Sequence, residues 1–375
     1  MLHRKSGLWP ALLLLALARC APPQPGLQSL NLPGPPPGKQ IPFTALPGWQ
    51  QDNTASALAA FVLGCKNILR MPADQNLGGN GLAQEDAGQA GLWQASCTAA
   101  KAVPPGDNAA AQQFFESNFA VYAIPGPALI TGYFEPEYPG ARNYHPGYTI
   151  PLYAKPAVAS LASLPRRAID NGALYRKAPV TAYLTNPVDA FMLQIQGSGR
   201  ILLANGQTLR VGYNGQNNQP YTPIGQILVQ HGDLQPNDVS YRSISTWLKA
   251  HPAEAMDYME QNANYVYLRP IGPLPNNQGA PGSLGVPLTA GRSLAVDNAY
   301  IPLGTPVFIS TTDPITNTPI QRLTIAQDTG GGIKGATQAD LFFGAGPDAE
   351  ATAGSMHQSG TLYMLLPARM QTAPP

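Results

Sequence analysis

Charge is what this 375-residue chain has least of: only 11% of it is Asp, Glu, Lys or Arg, against roughly a quarter in an average soluble domain. With 22 basic and 21 acidic residues the formal net charge is +1, which argues against a nucleic-acid partner, whose phosphate contacts need a Lys/Arg surplus. Cysteine is limited to Cys20, Cys65 and Cys97. The five histidines show no H-E-x-x-H or similar ligand spacing, so a catalytic zinc site has no support. Gly197-Ser198-Gly199 does not complete a G-x-S-x-G nucleophile elbow. Gly330–Gly335 lacks the G-K-[ST] order of a phosphate loop. No metal and no organic cofactor is therefore expected.

What is present is apolar material, Gly and Pro. At 44% apolar the chain has enough to build a core, and its length fits one large or two modest domains. Gly (38) and Pro (40) together make about a fifth of the residues, without the period of a collagen. Such a composition suggests strands and loops outside the cytoplasm.

The N-terminus points the same way. Arg4 and Lys5 precede an apolar run from Leu8 to Ala18 that is too short to span a bilayer, so residues 1–19 read as a signal peptide. Cys20 follows at once and resembles a lipoprotein cleavage box, with Arg19 departing from the small residue expected there. Ala16 and Ala18 also form an A-x-A site, which leaves plain secretion open. Removal of residues 1–19 takes Arg4, Lys5 and Arg19 and no acid, so the mature balance becomes −2, with 19 basic residues against 21 acidic. In an oxidising compartment Cys65 and Cys97 are an even pair for which a disulfide is the natural hypothesis, two separate buried thiols being the alternative. Residues 20–48 are Pro-rich, carry no helical or strand period, and read as a tether.

Beyond the tether the pattern is α+β, helices first and then short strands. Periodicity predicts a helix from about Asp52–Thr54 carrying Leu58, Phe61, Val62, Cys65 and Leu69. A second should align Trp93, Cys97 and Ala100, and a third should start at an Asp107 N-cap and bury Phe114, Phe115 and Phe119. Strand character runs from Val121 to Leu268. Phe191, Leu193 and Ile195 alternate there with Met192, Gln194 and Gln196, as in a strand. The run ILLA-NG-QTLRV reads as a hairpin with Asn205-Gly206 in a type I′ turn. Helices interrupt at about Ile224–His231, Ser240–Ala250 and Ala253–Gln261. Short strands return at Pro306–Ile309 and Leu323–Ala326, and residues 368–375 read as a disordered tail.

In a chain so poor in acids, three carboxylates of the last quarter stand in apolar or Gly-rich settings: Asp297, Asp328 and Asp340. Carboxyls at such borders acquire raised pKa values by desolvation or by a neighbouring anion, which suits a general acid; turn capping is the plainer role for the same residues. Asp328-Thr329-Gly330 has the tripeptide of aspartic proteases, but the second such turn is missing. Glu135 and Glu137 beside Pro136 read as an exposed pair.

Thr131–Pro136 (TGYFEP), Phe191–Arg200 (FMLQIQGSGR), Arg210–Tyr213, Tyr221–Gly225, Asn264–Val266, Ser293–Pro306 and Gln327–Gly335 with Asp340 form an ordered series from about Leu129 to Pro367. In that series the chain resembles the membrane-bound lytic murein transglycosylase A family with its C-terminal three-aspartate domain. The resemblance implies a mainly β architecture with two parts and a groove between them. A double-psi β-barrel with N-terminal helices is expected over residues 49–137 and 252–367, its three-aspartate region at about 285–367. A smaller β-barrel is expected as an insert over residues 138–251. The implied reaction breaks the β-1,4 bond between N-acetylmuramic acid and N-acetylglucosamine in peptidoglycan and leaves a 1,6-anhydro end. Asp340 is then the acid/base, and Asp328 and Asp297 shape the site. Thr131, Tyr133, Phe134, Gln194, Gln196 and Ser198 are expected to bind the glycan. The expected partners are peptidoglycan glycan strands, outer-membrane lipid through Cys20, and cell-wall synthesis or hydrolysis complexes. A non-catalytic wall-binding protein and a hydrolase that leaves reducing ends are the competing readings.

Overall fold

The computed structural model describes residues 38–368, so the signal segment, Cys20 and nearly all of the C-terminal tail lie outside the described residues. Among these residues no helix is long and apolar enough to cross a membrane.

Six strands close on themselves in the order His357–Pro367, Pro306–Thr312, Pro319–Thr329, Ser293–Val296, Gln338–Ala345 and Ala128–Glu135, the last pairing back to the first. Closure leaves no open edge in this barrel. Two of its pairings are parallel, Ser293–Val296 with Pro319–Thr329 and Gln338–Ala345 with Ala128–Glu135. Phe119–Ala123 and then Gln40–Ile41 extend the sheet outward from His357–Pro367. Residues 38–48, read above as the end of a tether, are thus part of the fold: Gln40 and Ile41 pair with Tyr122 and Val121, and Leu46 is buried.

Helix Thr54–Ile68 begins where Asn53 accepts the Ser56 N–H, and Asp107 caps Asn108–Asn118 through the Ala110 N–H. Their apolar faces share one core with the barrel. At its centre Phe61 meets the rings of Trp93, Phe114, Phe115 and Phe119 at centroid distances of 5.8–6.1 Å. A disulfide joins Cys65 to Cys97 and so ties this helix to Gln94–Ala100. The barrel is anchored to the same layer by buried Arg292, whose guanidinium grips the Asp52 carboxylate at 2.8 and 3.1 Å.

A second, six-stranded sheet runs Ile150–Tyr153, Val180–Leu184, Glu137–Ala141, Gly199–Leu203, Thr208–Gln216 and Val266–Pro270. Its last strand lies beyond residue 251, and helix Pro252–Glu260 packs in one cluster with Val188, Phe191 and Leu228. The inserted part therefore extends to about Pro270. The segment expected as strand FMLQIQ is instead the second half of helix Pro187–Gln196. Pro187 sits in its first turn and the Asn186 side chain accepts the Val188 N–H, a start signal that outweighs a short alternation. Phe191, Met192, Leu193 and Gln194 are all buried, because this helix is covered on more than one side. The hairpin at 199–216 forms, but its loop differs from the type I′ turn. Gly206 N–H bonds to the Leu203 carbonyl, Leu203 N–H bonds to the Gln207 carbonyl, and Gly206, at φ 80°, takes the left-handed conformation where Asn205 does not. That is a three-residue loop with Gly in the αL position.

The two sheets meet at Glu135, the last residue of its barrel strand. Far from exposed, it has no solvent-accessible surface. One carboxylate oxygen accepts from Arg200 at 3.1 Å and Arg210 at 2.8 Å, and the other accepts the Ala280 N–H at 2.7 Å. Arg210 also donates to the carbonyls of Leu274, Pro275 and Gln278, and Arg200 to that of Asn276. Removing one partner from a buried ionic cluster typically costs about 3–5 kcal/mol. Glu135→Ala is expected to lose about that much in urea unfolding, because Arg210 is left without a carboxylate and Arg200 keeps only Glu137, at 3.3 Å. A loss under about 1 kcal/mol would show that the cluster is not holding the junction.

Candidate active site

Asp340 and Asp328 stand on strands that flank Ser293–Val296, and both pair with Ala295, Asp340 in an antiparallel ladder and Asp328 in a parallel one. Partners at one level of a sheet point to one face. The alignment depends on a bulge, since Leu294 pairs with Ala326 whereas the next residue, Ala295, pairs with Asp328. Gln327 is the residue skipped. Without that extra residue Asp328 would sit one position further along and face the other way. The Gln327 side chain is fully buried, accepting from Ser293 Oγ at 2.5 Å and donating to the Ala60 carbonyl at 2.8 Å, which fixes the bulge.

Two inter-strand spacings set the two Asp Cα atoms roughly 10 Å apart or less. The sheet is concave here: Tyr133, three strands from Asp328, still reaches it, its hydroxyl donating to Asp328 Oδ2 at 3.1 Å. Tyr133 is held by the Phe342 ring at 5.1 Å.

The two carboxyls are half-buried but differently supplied with donors. Asp328 Oδ1 accepts from Ser283 N–H (2.9 Å), Ser283 Oγ (3.0 Å) and Thr329 N–H (2.9 Å), with Tyr133 on the other oxygen. Burial raises its pKa, and these four donors oppose the rise by favouring the anion. Asp340 has no such cradle, and its Oδ1 is buried without a hydrogen-bond partner. Burial pushes its pKa up to about 6, the Asp328 charge adds to this, and only the Thr131 hydroxyl pulls the other way. Both carboxyls are pushed up by burial, and they differ in how many donors favour the charged form. Because they interact, the two titrate as a coupled pair.

Asp297 has a different position. It follows the strand Ser293–Val296, accepts the Ala299 N–H at 3.1 Å and the Gly335 N–H at 2.8 Å, and so ties the loop after Asp328 to the turn after Val296.

Of the other residues expected on the glycan, Thr131 pairs in register with Asp340 and Tyr133 bonds to Asp328. Phe134 does not face a groove: it is 1% exposed and packs edge-on against Tyr241 at 4.9 Å. Gln196 accepts the Phe134 N–H at 3.3 Å, joining the inserted part to the barrel strand. Gln194 is buried in the insert and lines a cavity there that none of the three aspartates reaches. Ser198, half-buried, follows the left-handed C-cap Gly197. Sequence reasoning passed over Ser283, the double donor to Asp328, because Pro281-Gly282-Ser283 reads as an ordinary turn. It also passed over Tyr221, whose ring lies close enough to Gly332 that an added Cβ there would be 3.8 Å from it, and whose hydroxyl feels the Asp340 charge. Tyr221 thus brings the insert loop after Gln216 to the loop after Asp328.

The MltA specific insert domain matches residues 129–269 and the 3D domain residues 292–366. The chain is similar to the membrane-bound lytic murein transglycosylase A of Vibrio cholerae, with 31% identity over 250 residues, 64% of this chain and 66% of that protein. The matched region spans just under two thirds of that curated relative. Among solved structures it is similar to MltA from Neisseria gonorrhoeae, with 28% identity, 90% of this chain and 96% of the other covered, and a TM-score of 0.74. It is also similar to the lytic transglycosylase LtgG of Burkholderia pseudomallei, with 36% identity, 90% and 97% coverage, and a TM-score of 0.58. With its insert, its three-aspartate region and its barrel all matched, the chain belongs to the lytic murein transglycosylase A family.

Proposed function

We propose that the chain is a peptidoglycan lytic transglycosylase that cleaves the β-1,4 bond between N-acetylmuramic acid and N-acetylglucosamine and forms 1,6-anhydromuramic ends. The observation that carries this reading is the asymmetry of the carboxyl pair: Asp328 with four donors, Asp340 with a buried, unpartnered oxygen.

Ordinary glycosidases use two carboxyl groups because water or a protein nucleophile must be activated separately from the leaving group. Here the nucleophile is the muramyl C6 hydroxyl of the substrate itself. Protonated Asp340 gives its proton to the glycosidic oxygen as the C1–O4 bond breaks. The carboxylate so formed then takes the proton of the C6 hydroxyl as that oxygen bonds to C1, and the acid is restored. The tethered hydroxyl replaces a positioned water. Asp328 stays anionic, favours proton retention on Asp340, and opposes the positive charge that develops at C1. Thr131 and Tyr133 flank the pair, and Asp297 holds the adjacent loop. In the same proposal the mature chain is anchored to the outer membrane through lipid on Cys20 and works in the periplasm on wall glycan. Mass analysis of the mature N-terminus tests that anchor, a lipidated Cys20 supporting it and cleavage after Ala18 refuting it.

Purified sacculi digested by the enzyme should release anhydromuropeptides. Reducing ends in their place would make the enzyme a hydrolase, and no release at all would favour a wall-binding protein. Asp340→Asn should lower turnover by at least about 10²–10⁴, the usual contribution of a general acid, while glycan binding persists. Turnover near wild type would place the acid elsewhere.

The pH dependence follows from the direction of the shift. The active form carries a proton on Asp340, so kcat/KM should fall as pH rises through about 6. A pH profile flat from 5 to 8 would contradict this. The raised pKa also makes ionised Asp340 a liability to the fold, its contribution to stability being present at acid pH and lost as pH rises through about 6. Asp340→Asn should accordingly raise the melting temperature at pH 8 and leave it near wild type at pH 4.

A further inference from the structure

The insert contains a cavity of about 760 Å³ that the reaction does not use. It lies between the strands Ile150–Tyr153 and Val180–Leu184, the turn 166–173 and helix Pro187–Gln196, and its lining includes Ile150, Ile169, Phe191, Met256 and Met259. A volume of this size, mostly apolar with a few polar groups, is typical of small-molecule sites.

The polar groups are what set this cavity apart. Arg166 is 2% exposed, with its guanidinium over the rings of Phe191 at 4.6 Å and Tyr265 at 5.1 Å. Its Nε and Nη2 donate to the carbonyls of Asn262 and Asn264. Nη1 makes none of these bonds. It faces Asp170 Oδ2 at 3.8 Å, too far for a hydrogen bond, and Asp170 stands at the edge of the cavity with its side chain 21% exposed. Gln194 Oε1 is buried without a partner among the described residues, and the largely buried rings of Tyr153 and Tyr265 line the same cavity. Buried polar groups are nearly always satisfied. Here Gln194 carries a buried unpartnered oxygen, and Tyr153, Arg166, Asp170 and Tyr265 line the same space. At the mouth Tyr175 is 65% exposed, with the Arg176 guanidinium 5.3 Å from its ring.

We propose that this cavity is a second recognition site that takes the zwitterionic α-amino-acid end of a peptide, its carboxylate on Arg166 Nη1 and its ammonium on Asp170. A cation and an anion held just beyond bonding distance suit a ligand that carries both charges. A neutral sugar would supply hydroxyls but would leave the buried Arg166 charge opposed only by dipoles on the ligand side. The apolar walls receive the aliphatic part of the ligand, and Gln194 accepts one of its N–H groups. That the peptide comes from the wall rests on the transglycosylase reading; a free amino acid presents the same chemistry.

Calorimetric titration of the whole protein with meso-diaminopimelate tests the site, with a muramyl tripeptide and di-N-acetylchitobiose as parallel probes. One-to-one binding of diaminopimelate is expected, weakened at least tenfold by Asp170→Asn and abolished by Ala178→Trp, which fills the cavity. Turnover of glycan strands stripped of peptide should be unchanged in both variants, and it reports on the transglycosylase reading separately. Binding of the muramyl tripeptide as well identifies the wall as the source, and binding of diaminopimelate alone identifies a free amino acid. Absence of diaminopimelate binding at about 10 mM, or equal binding by both variants, overturns the proposal. Binding of chitobiose that the two variants weaken assigns the cavity to sugar and overturns it equally. If Asp170→Asn melts early, Ala178→Trp alone decides.

Discussion

The crossing from the barrel to its insert is gathered around one buried carboxylate. Glu135 ends a barrel strand, and two residues later the chain is already in the first strand of the insert sheet. Arg200 and Arg210 bind it from two further strands of that sheet, and the Ala280 N–H binds it from the segment returning to the barrel. A single buried anion thus pins the outgoing chain, two insert strands and the returning chain at one point. The cost of burying the charge is offset because both of its oxygens are occupied and each arginine is held further by backbone carbonyls. The consequence for function is geometric. Tyr221 stands on an insert loop and Asp340 on the barrel, and this junction, with the Gln196–Phe134 bond and the Phe134–Tyr241 contact, sets their relation.

The carboxyl pair shows how little chemistry a sheet needs in order to separate an acid from an anion. Both aspartates are half-buried on one concave face, so desolvation acts on both. What distinguishes them is the number of donors each meets. Asp328 lies beside a turn that offers a backbone and a hydroxyl donor from Ser283, and it is reached by Tyr133. Asp340 emerges mid-strand, where its neighbours' N–H groups are spent in the ladder with Ala295 on one side and Thr131 on the other. The bulge at Gln327 is the step that makes them a pair, and buried hydrogen bonds to Ser293 and Ala60 hold it in place.

Legibility in the sequence followed the range of the interactions concerned. Local signals read true: Asp107 as an N-cap, the helix at Ile224–His231, the Phe114, Phe115 and Phe119 cluster, and the hairpin at 199–216. Six residues alternating in hydrophobicity misled at Phe191–Gln196, since a helix covered on several sides buries Leu193 and Gln194 alike. The Asn186-Pro187 start signal was present and was the better guide. Glu135 was illegible for another reason: its partners lie 65, 75 and 145 residues away, and an acid beside a proline looks exposed until they arrive. The aspartates stood out because acids are rare in this chain, yet composition says nothing of donor count. Sequence alone could not separate the roles of Asp328 and Asp340.

The single-acid mechanism proposed above leaves a second carboxyl, Asp328, to be accounted for. A second carboxylate used as base would have to be free to accept a proton, and Asp328 is not, since its oxygens already accept four hydrogen bonds. Burial raises the Asp328 pKa, and its four donors oppose that rise by favouring the anion. Asp340 is the group with an oxygen to spare, and it can give and take back the same proton without any rearrangement of the pair. The donor pattern around the two aspartates leaves one group able to serve in turn as acid and base, and whether it turns the C6 hydroxyl or a water into the nucleophile is read from the ends of the products.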